Sequence, residues 1–519
     1  MTLSRLLVAG AITTMLAACA STGQGESRSL VQTETGKVRG SGGEIHRYLG
    51  VPYAAAPVGP LRWQPPQPAP QWNGVRDATQ FGHFCVQPQE YPEMRGTMDE
   101  DCLNLNIWTP SEDRTAKMPV VVWIHGGGFT YGGGAHPSYD GEALARRGVV
   151  VVTLNYRLGL LGFMAHPQLS AESKAGSSGN YGLMDQVAAL KWVQRNIAAF
   201  GGDPTRVTVM GQSAGAHAIS ALITSTQAAS TFQQAIMQSV GVMRPQLDLK
   251  QAEQYGLQVG ADINQLRQLP AENFVALQKN LGVDRSPASA RPVSIINDGV
   301  FIDMPDYAAF ASGRFSKVPI LVGNVANEGG GATKNWPIKT VSEFRTFVSE
   351  TFKGAGSKAT TAFAVNSDAQ VKQALADLYS DTQFLFGTRE LLNQYEKQNL
   401  RSYRYVFSRH RDEAAAPPIH GDELQFVFDN LNAPHRGKQR PFNDTDSAVA
   451  QQIADSWMRF VKTGDPNGGD MPAWPPYSSK GKGFMTFGST LTAGSGYDGQ
   501  GIDFVRDYFA AVRGQGVGE

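Results

Sequence analysis

Five short apolar runs recur along the chain: "PVVVWIHG" (119–126), "GVVVVTLNYRLG" (148–159), "RVTVMG" (206–211), "QQAIMQSV" (233–240) and "KVPILVGN" (317–324). Each is bounded by glycine or charge. Continuous Val/Ile runs of this kind predict strands buried on both faces, as in a parallel sheet covered by helices. Between the second and third runs, Val187, Leu190, Val193, Ile197 and Phe200 recur at helical spacing and predict a covering helix over 185–200. The first 110 residues are richer in proline and turn signals, as in "VPYAAAPVGPLRWQPPQPAP" (51–70), and predict an antiparallel edge and a surface wrap. Residues 245–300 and 330–400 are polar, mixed and mostly helical in pattern. Neither contains a linker, so they read as insertions over the top of the sheet. The expected fold class is therefore α/β, and 519 residues fit one large domain with insertions.

Charge narrows the function. The chain carries 46 basic and 46 acidic residues with no long single-sign run, which lacks the electrostatic footprint of a nucleic-acid binder. The N-terminus, "MTLSRLLVAGAITTMLAAC", has one arginine and then an apolar core that suits a signal peptide over 1–18 and is too short for a membrane span. Leu16-Ala17-Ala18-Cys19 looks like a bacterial lipobox, with Cys19 lipidated; plain cleavage after Ala20 is the alternative. Residues 19–30 would then be a lipidated terminus and flexible tether, and 31–519 a single domain. The chain is expected to be exported and lipid-anchored in the cell envelope, or else secreted. If Cys19 carries lipid, Cys85 and Cys102 remain as a pair in an oxidising compartment; two unrelated thiols are the competing reading.

The stretch "VTVMGQSAGAH" (207–217) holds Gly-x-Ser-x-Gly around Ser213. In a chain with 57 glycines the pentapeptide decides nothing by itself, but it follows a β-like run and opens the helical pattern "SAGAHAISALIT". A strand–turn–helix is the setting a nucleophile elbow needs. A serine hydroxyl needs a base to take its proton and an acid to orient that base. Chain order Ser, acid, His leaves His410, His420 and His435; His217, one turn into the elbow helix, reads as packing or capping. His420, in the loop "PPIHGDELQFVF", is the leading base. For the acid, Glu328 in "VPILVGNVANEGG" lies just past a predicted parallel strand and leads among several. "WIHGGGF" (123–129) ends a buried strand with consecutive glycines, the pattern of an oxyanion element. A phosphate-cradling loop is disfavoured because no Gly-Lys-Ser/Thr follows. The second run, Gly132 to Gly134, reads as a flexible turn.

Together these stretches resemble the type-B carboxylesterase family. "EDCLNLNIWTP" (100–110) and "FGGDPTRVTVMGQSAG" (200–215) are similar to the two family signatures, and "NYRLGLLGF", "HGDELQFVF" and "FVKTGDPN" to further blocks. The resemblance implies an α/β-hydrolase fold and hydrolysis of carboxylic esters through an acyl-enzyme. It implies Ser213 as nucleophile, Glu328 as acid and His420 as base, with the amides of Gly127, Gly128 and Ala214 as oxyanion hole and a Cys85–Cys102 bridge. No metal or organic cofactor is implied, and the partner is a small-molecule ester. Amide or lactone cleavage by the same machinery, and a non-catalytic binding protein of the same fold, are the alternatives. Two departures stand out. Gln212 replaces the glutamate usual before the nucleophile, and "VQPQEYPEMRGTMDED" (86–101) lacks the tryptophan that would stack on a choline group, so choline esters are poor candidates.

Overall fold

The computed structural model describes residues 29–88, 93–111, 113–281, 286–410, 417–434, 441–496, 499 and 501–514. The signal segment 1–18, Cys19, the tether up to residue 28, and His435 lie outside the described residues. Ser29 and Leu30, at the end of the expected tether, already belong to the folded body, because Leu30 opens a small three-stranded sheet formed by Leu30–Gln32, Lys37–Arg39 and Val75–Asp77.

Ten strands make the main sheet: β1 (His46–Pro52), β2 (Asn104–Thr109), β3 (Met118–Ile124), β4 (Val150–Leu154), β5 (Gly202–Gln212), β6 (Gln234–Gln238), β7 (Ile320–Val325), β8 (Ser402–Phe407), β9 (Gly483–Phe487) and β10 (Leu491–Ser495). Their order is β1-β2-β4-β3-β5-β6-β7-β8-β9-β10. The run from β4 to β9 is parallel throughout, and β2 and β10 pair antiparallel at the two margins. The five apolar runs became β3 to β7, and the proline-rich first 110 residues supply the expected antiparallel edge, β1 on β2.

Alternation explains why those runs have no polar face. Val120, Val122 and Ile124 of β3 enter one apolar core, whereas Val121 and Trp123 enter the other. Each face is then closed by helices. On the first, α1 (Tyr181–Asn196) continues into a 3₁₀ turn (Ile197–Phe200) and buries Val187, Leu190, Val193, Ile197 and Phe200. This helix starts four residues before the periodicity predicts, since Tyr181 and Leu183 are buried as well. On the second face, α2 (Asp444–Thr463) presents Val449, Ile453, Trp457 and Phe460. Its ends are well defined: Asn443 and Asp446 form a capping box, and Gly464 closes it at φ +74°.

The insertions are helical as expected. Leu249–Val259, Ile263–Gln268 and Asn273–Lys279 form the first, and Val341–Thr351, Gly356–Ala362, Asp368–Ser380 and Phe386–Lys397 the second. The last two are joined by a π-turn, Asp381–Leu385, which rotates the following side chains relative to an α-helical register. Among the described residues no helix is long and apolar enough to cross a membrane.

Candidate active site

The ends of β3, β5, β7 and β8 converge above the sheet, where an open α/β sheet builds its sites. At the end of β5, Ser213 holds φ +56° and ψ −120°, a conformation that costs a non-glycine residue about 1–3 kcal/mol. It is held there because its N–H donates to Gln238 O of the neighbouring β6 at 2.8 Å, and because α3 (Ala214–Thr224) starts at the next residue. The flanking glycines are required by space. A Cβ on Gly215 would stand 2.0 Å from Ile124 O, and one on Gly211 would stand 2.8 Å from Gly215 C.

After β3 the chain turns through Gly126, Gly127 and Gly128. Gly127 takes φ +106° and Gly128 φ +60°, and a Cβ on Gly127 would meet Tyr131 O at 1.9 Å. His125, before them, is fully buried, stacks on Tyr156 at 4.4 Å and bonds Gly126 O through Nδ1 at 2.8 Å. Burial drives it down to about 4, so it is a neutral wedge beneath the glycine turn. The second glycine run corrects the sequence reading. Gly132 is bonded in both directions by Gln87, and Gly134 by Asn155 and Thr153, so this turn is fixed in place.

Glu328 lies three residues past β7 with its carboxylate buried. Its Oε1 accepts from Ser239 Oγ at 2.6 Å, Val325 N at 3.0 Å and Asn324 Nδ2 at 3.3 Å. Its Oε2 stands 2.6 Å from His420 Nδ1. The loops bearing these two residues are tied by a parallel bridge between Asn327 and Ile419, with Asn327 N donating to Pro418 O at 3.1 Å. His420 also stacks on Phe384 of the π-turn, with centroids 4.6 Å apart. Gln212 Nε2 reaches His420 Nε2 at 3.1 Å. An amide NH₂ can only donate, so Nε2 is the acceptor, and Nδ1 carries the proton given to Glu328.

Ser213 and His420 line two cavities that meet between them. The larger, about 360 Å³, also has Gly128, Ala214, His217 and Glu328 on its wall. The smaller, about 120 Å³, has Gly126, Gly127 and Gln212. Of the other histidines after Ser213, His217 is buried in α3 against Phe129, with ring centroids 5.7 Å apart. Burial, then Arg244 and Arg291, hold it down to about 3. His410 is three residues past β8 and ten before His420.

Several residues of this site escaped sequence reasoning. Ser239 is next to last in the predicted strand "QQAIMQSV" and directly follows β6, at the edge where site residues collect, and that position was its signal. Glu423 lies in the same "HGDEL" stretch as His420; burial, with the Glu328 charge adding to it, pushes its carboxyl up to about 7. Arg291 and Gln383 reach the larger cavity from the insertions, and Arg244 from just before the first, with no pattern to announce them. Cys85 and Cys102 are joined in a disulfide with Cα atoms 5.0 Å apart. The loop it closes is further tied at Arg62, whose guanidinium grips Glu100 at 2.7 and 2.6 Å, and it places Met94 on the smaller cavity.

A parallel sheet with a strained serine at the end of a central strand, and a buried acid–imidazole pair beside it, defines an α/β-hydrolase of the serine type. The chain belongs to the carboxylesterase family, whose model matches residues 27–505. It is similar to a fumonisin B1 esterase of Sphingopyxis macrogoltabida, 43% identical over 472 residues, 89% of this chain and 87% of that one. A para-nitrobenzyl esterase of Bacillus subtilis (strain 168) is 32% identical over 508 residues, covering 90% and 96%. Among solved structures, a carboxylesterase of Geobacillus stearothermophilus superposes with a TM-score of 0.81 at 32% identity, over 93% of this chain and 100% of that one. The protein is a carboxylic-ester hydrolase acting on small-molecule esters.

Proposed function

We propose that Ser213 is the nucleophile, His420 the base and Glu328 the acid, with the amides of Gly127, Gly128 and Ala214 receiving the oxyanion. The observation that carries this reading is the 2.6 Å contact of His420 Nδ1 with the buried Glu328, beside a serine held at φ +56°. His420 Nε2 takes the hydroxyl proton as Ser213 attacks the ester carbonyl, and Glu328 stabilises the imidazolium that forms. The carbonyl oxygen becomes an alkoxide facing the glycine turn and the start of α3, where amides already in place need no reorganisation. The imidazolium then protonates the leaving alcohol, and water repeats the sequence on the acyl-enzyme. In the resting arrangement the Nε2 lone pair accepts from Gln212, so proton abstraction requires His420 to exchange that donor for the serine hydroxyl.

Ser213→Ala is expected to lower kcat on a p-nitrophenyl ester by a factor on the order of 10⁴ or more, with the fold retained by circular dichroism. Wild-type turnover in that variant overturns the assignment. The exported, lipid-anchored state belongs to the same proposal: the pattern of residues 1–19 supports it, and so does a disulfide, which persists in oxidising compartments. The mass of the mature N-terminus tests it; a terminus at Cys19 without lipid, or retention of residues 1–18, refutes it.

A further inference from the structure

Two guanidinium groups face the cavity that holds Ser213. Arg244 and Arg291 both line it, and both donate to one acceptor, Gln383 Oε1, which Arg291 Nη2 reaches at 2.9 Å. Arg244 Nε donates to Gly241 O at 3.1 Å, and Arg291 Nη2 to Tyr379 Oη at 3.3 Å. Every one of these acceptors is neutral. Three buried arginines elsewhere are matched with carboxylates: Arg62 with Glu100, Arg157 with Asp185, Arg409 with Asp446. That is what desolvation demands of a charge removed from water. Arg244 over the cavity has no such partner among the described residues; beside it is Arg291, whose position is exposed. Burial and the nearby Arg291 push Arg244 down to about 10, which still leaves it charged at neutral pH. The neighbouring His217 is neutral, so it adds no charge of its own. Glu328, the carboxylate on that wall, is already engaged by His420 and Ser239.

Two cations converging on one oxygen, with no carboxylate among the described residues bonded to them, form a receptor for an anion that arrives with the substrate. The planar fork of a guanidinium matches a carboxylate. A space of about 360 Å³, walled in part by Phe129, Val293 and Phe384, takes a few methylenes between that carboxylate and the scissile bond. We propose that this esterase acts on esters bearing a free carboxylate a few carbons from the scissile bond, held by Arg244 and Arg291. The proposal rests on the reading of Ser213 as nucleophile, and the carboxylate can belong to the acyl half or to the alcohol half of the ester.

The test is a pH-stat comparison of four substrates at neutral pH, with Ser213→Ala as the blank. Monoethyl glutarate against ethyl pentanoate places the carboxylate on the acyl half; the acetate ester of 4-hydroxybutyrate against butyl acetate places it on the alcohol half. Wild-type kcat/KM is expected to favour the carboxylate ester of at least one pair tenfold or more. Arg291→Gln, at an exposed position, and Arg244→Gln are each expected to cut that ratio at least tenfold, and Arg291→Glu further. Ser213-dependent hydrolysis of the neutral esters at rates equal to or above both carboxylate esters overturns this inference and leaves the nucleophile in place. A preference that survives both arginine substitutions overturns it too. Failure to hydrolyse any of the four overturns both readings.

Discussion

Gln212 donates from Nε2 to the Nε2 of His420 at 3.1 Å, at the position where the family usually carries glutamate. A neutral amide there supports the neutral imidazole, which is the form a base must have. Gln212→Glu would put a carboxylate against the same nitrogen and favour the imidazolium. The acid limb of the kcat/KM against pH profile is expected to move up by about 1 pH unit, because the base must lose its proton before it can act. A profile unchanged in position would show that residue 212 does not reach the base.

Glu328→Gln isolates the orienting contact. The replacement keeps the volume but turns one of the two carboxylate acceptors into a donor, so the bond from His420 Nδ1–H at 2.6 Å and the one from Val325 N–H at 3.0 Å cannot both be satisfied. A loss in kcat of about 10³- to 10⁴-fold is expected, with KM little altered. Retention of more than a tenth of the wild-type kcat would contradict the role given to Glu328.

Glu423 makes stability depend on pH. Burial holds its carboxyl up to about 7 against an ordinary value of 4.5, so the folded protein binds this proton more tightly than the unfolded chain. The contribution is fully present below about pH 4.5 and is lost as pH rises through 7, amounting to about 3 kcal/mol across that window. Relative to wild type, Glu423→Gln is expected to gain stability as pH is raised from 5 to 8. Parallel Tm curves for the two proteins over that range would refute it.

The Cys85–Cys102 bridge spans 17 positions and should contribute roughly 3 kcal/mol by restricting the unfolded chain. Cys85→Ser with Cys102→Ser is expected to lower Tm. The loop also supplies Met94 to the smaller cavity, so KM should shift with it. Equal thermal stability of the oxidised and reduced protein would be the contrary result.

Much of this arrangement was legible in the chain. The five Val/Ile runs gave β3 to β7 because residues buried on both faces leave no polar alternation to misread. Ser213 was legible because Gly-x-Ser-x-Gly stood between a strand pattern and a helix pattern. The insertions were harder. Arg244, Arg291 and Gln383 act through contacts between segments 139 and 92 positions apart, and no local periodicity encodes such a meeting. Gly132 to Gly134 misled for a related reason: glycine reads as freedom, but here the absent side chains admit Asn155, Thr153 and the ring of His125.

The bridge from Asn327 to Ile419 carries a consequence for assembly. The turn holding the acid and the turn holding the imidazole are joined only once β7 and β8 lie side by side in register. Hydrolytic competence should therefore appear late in refolding, as a reporter that the C-terminal half of the sheet has closed. A chain still missing that closure would keep its bent serine and have no partner ready to deprotonate it.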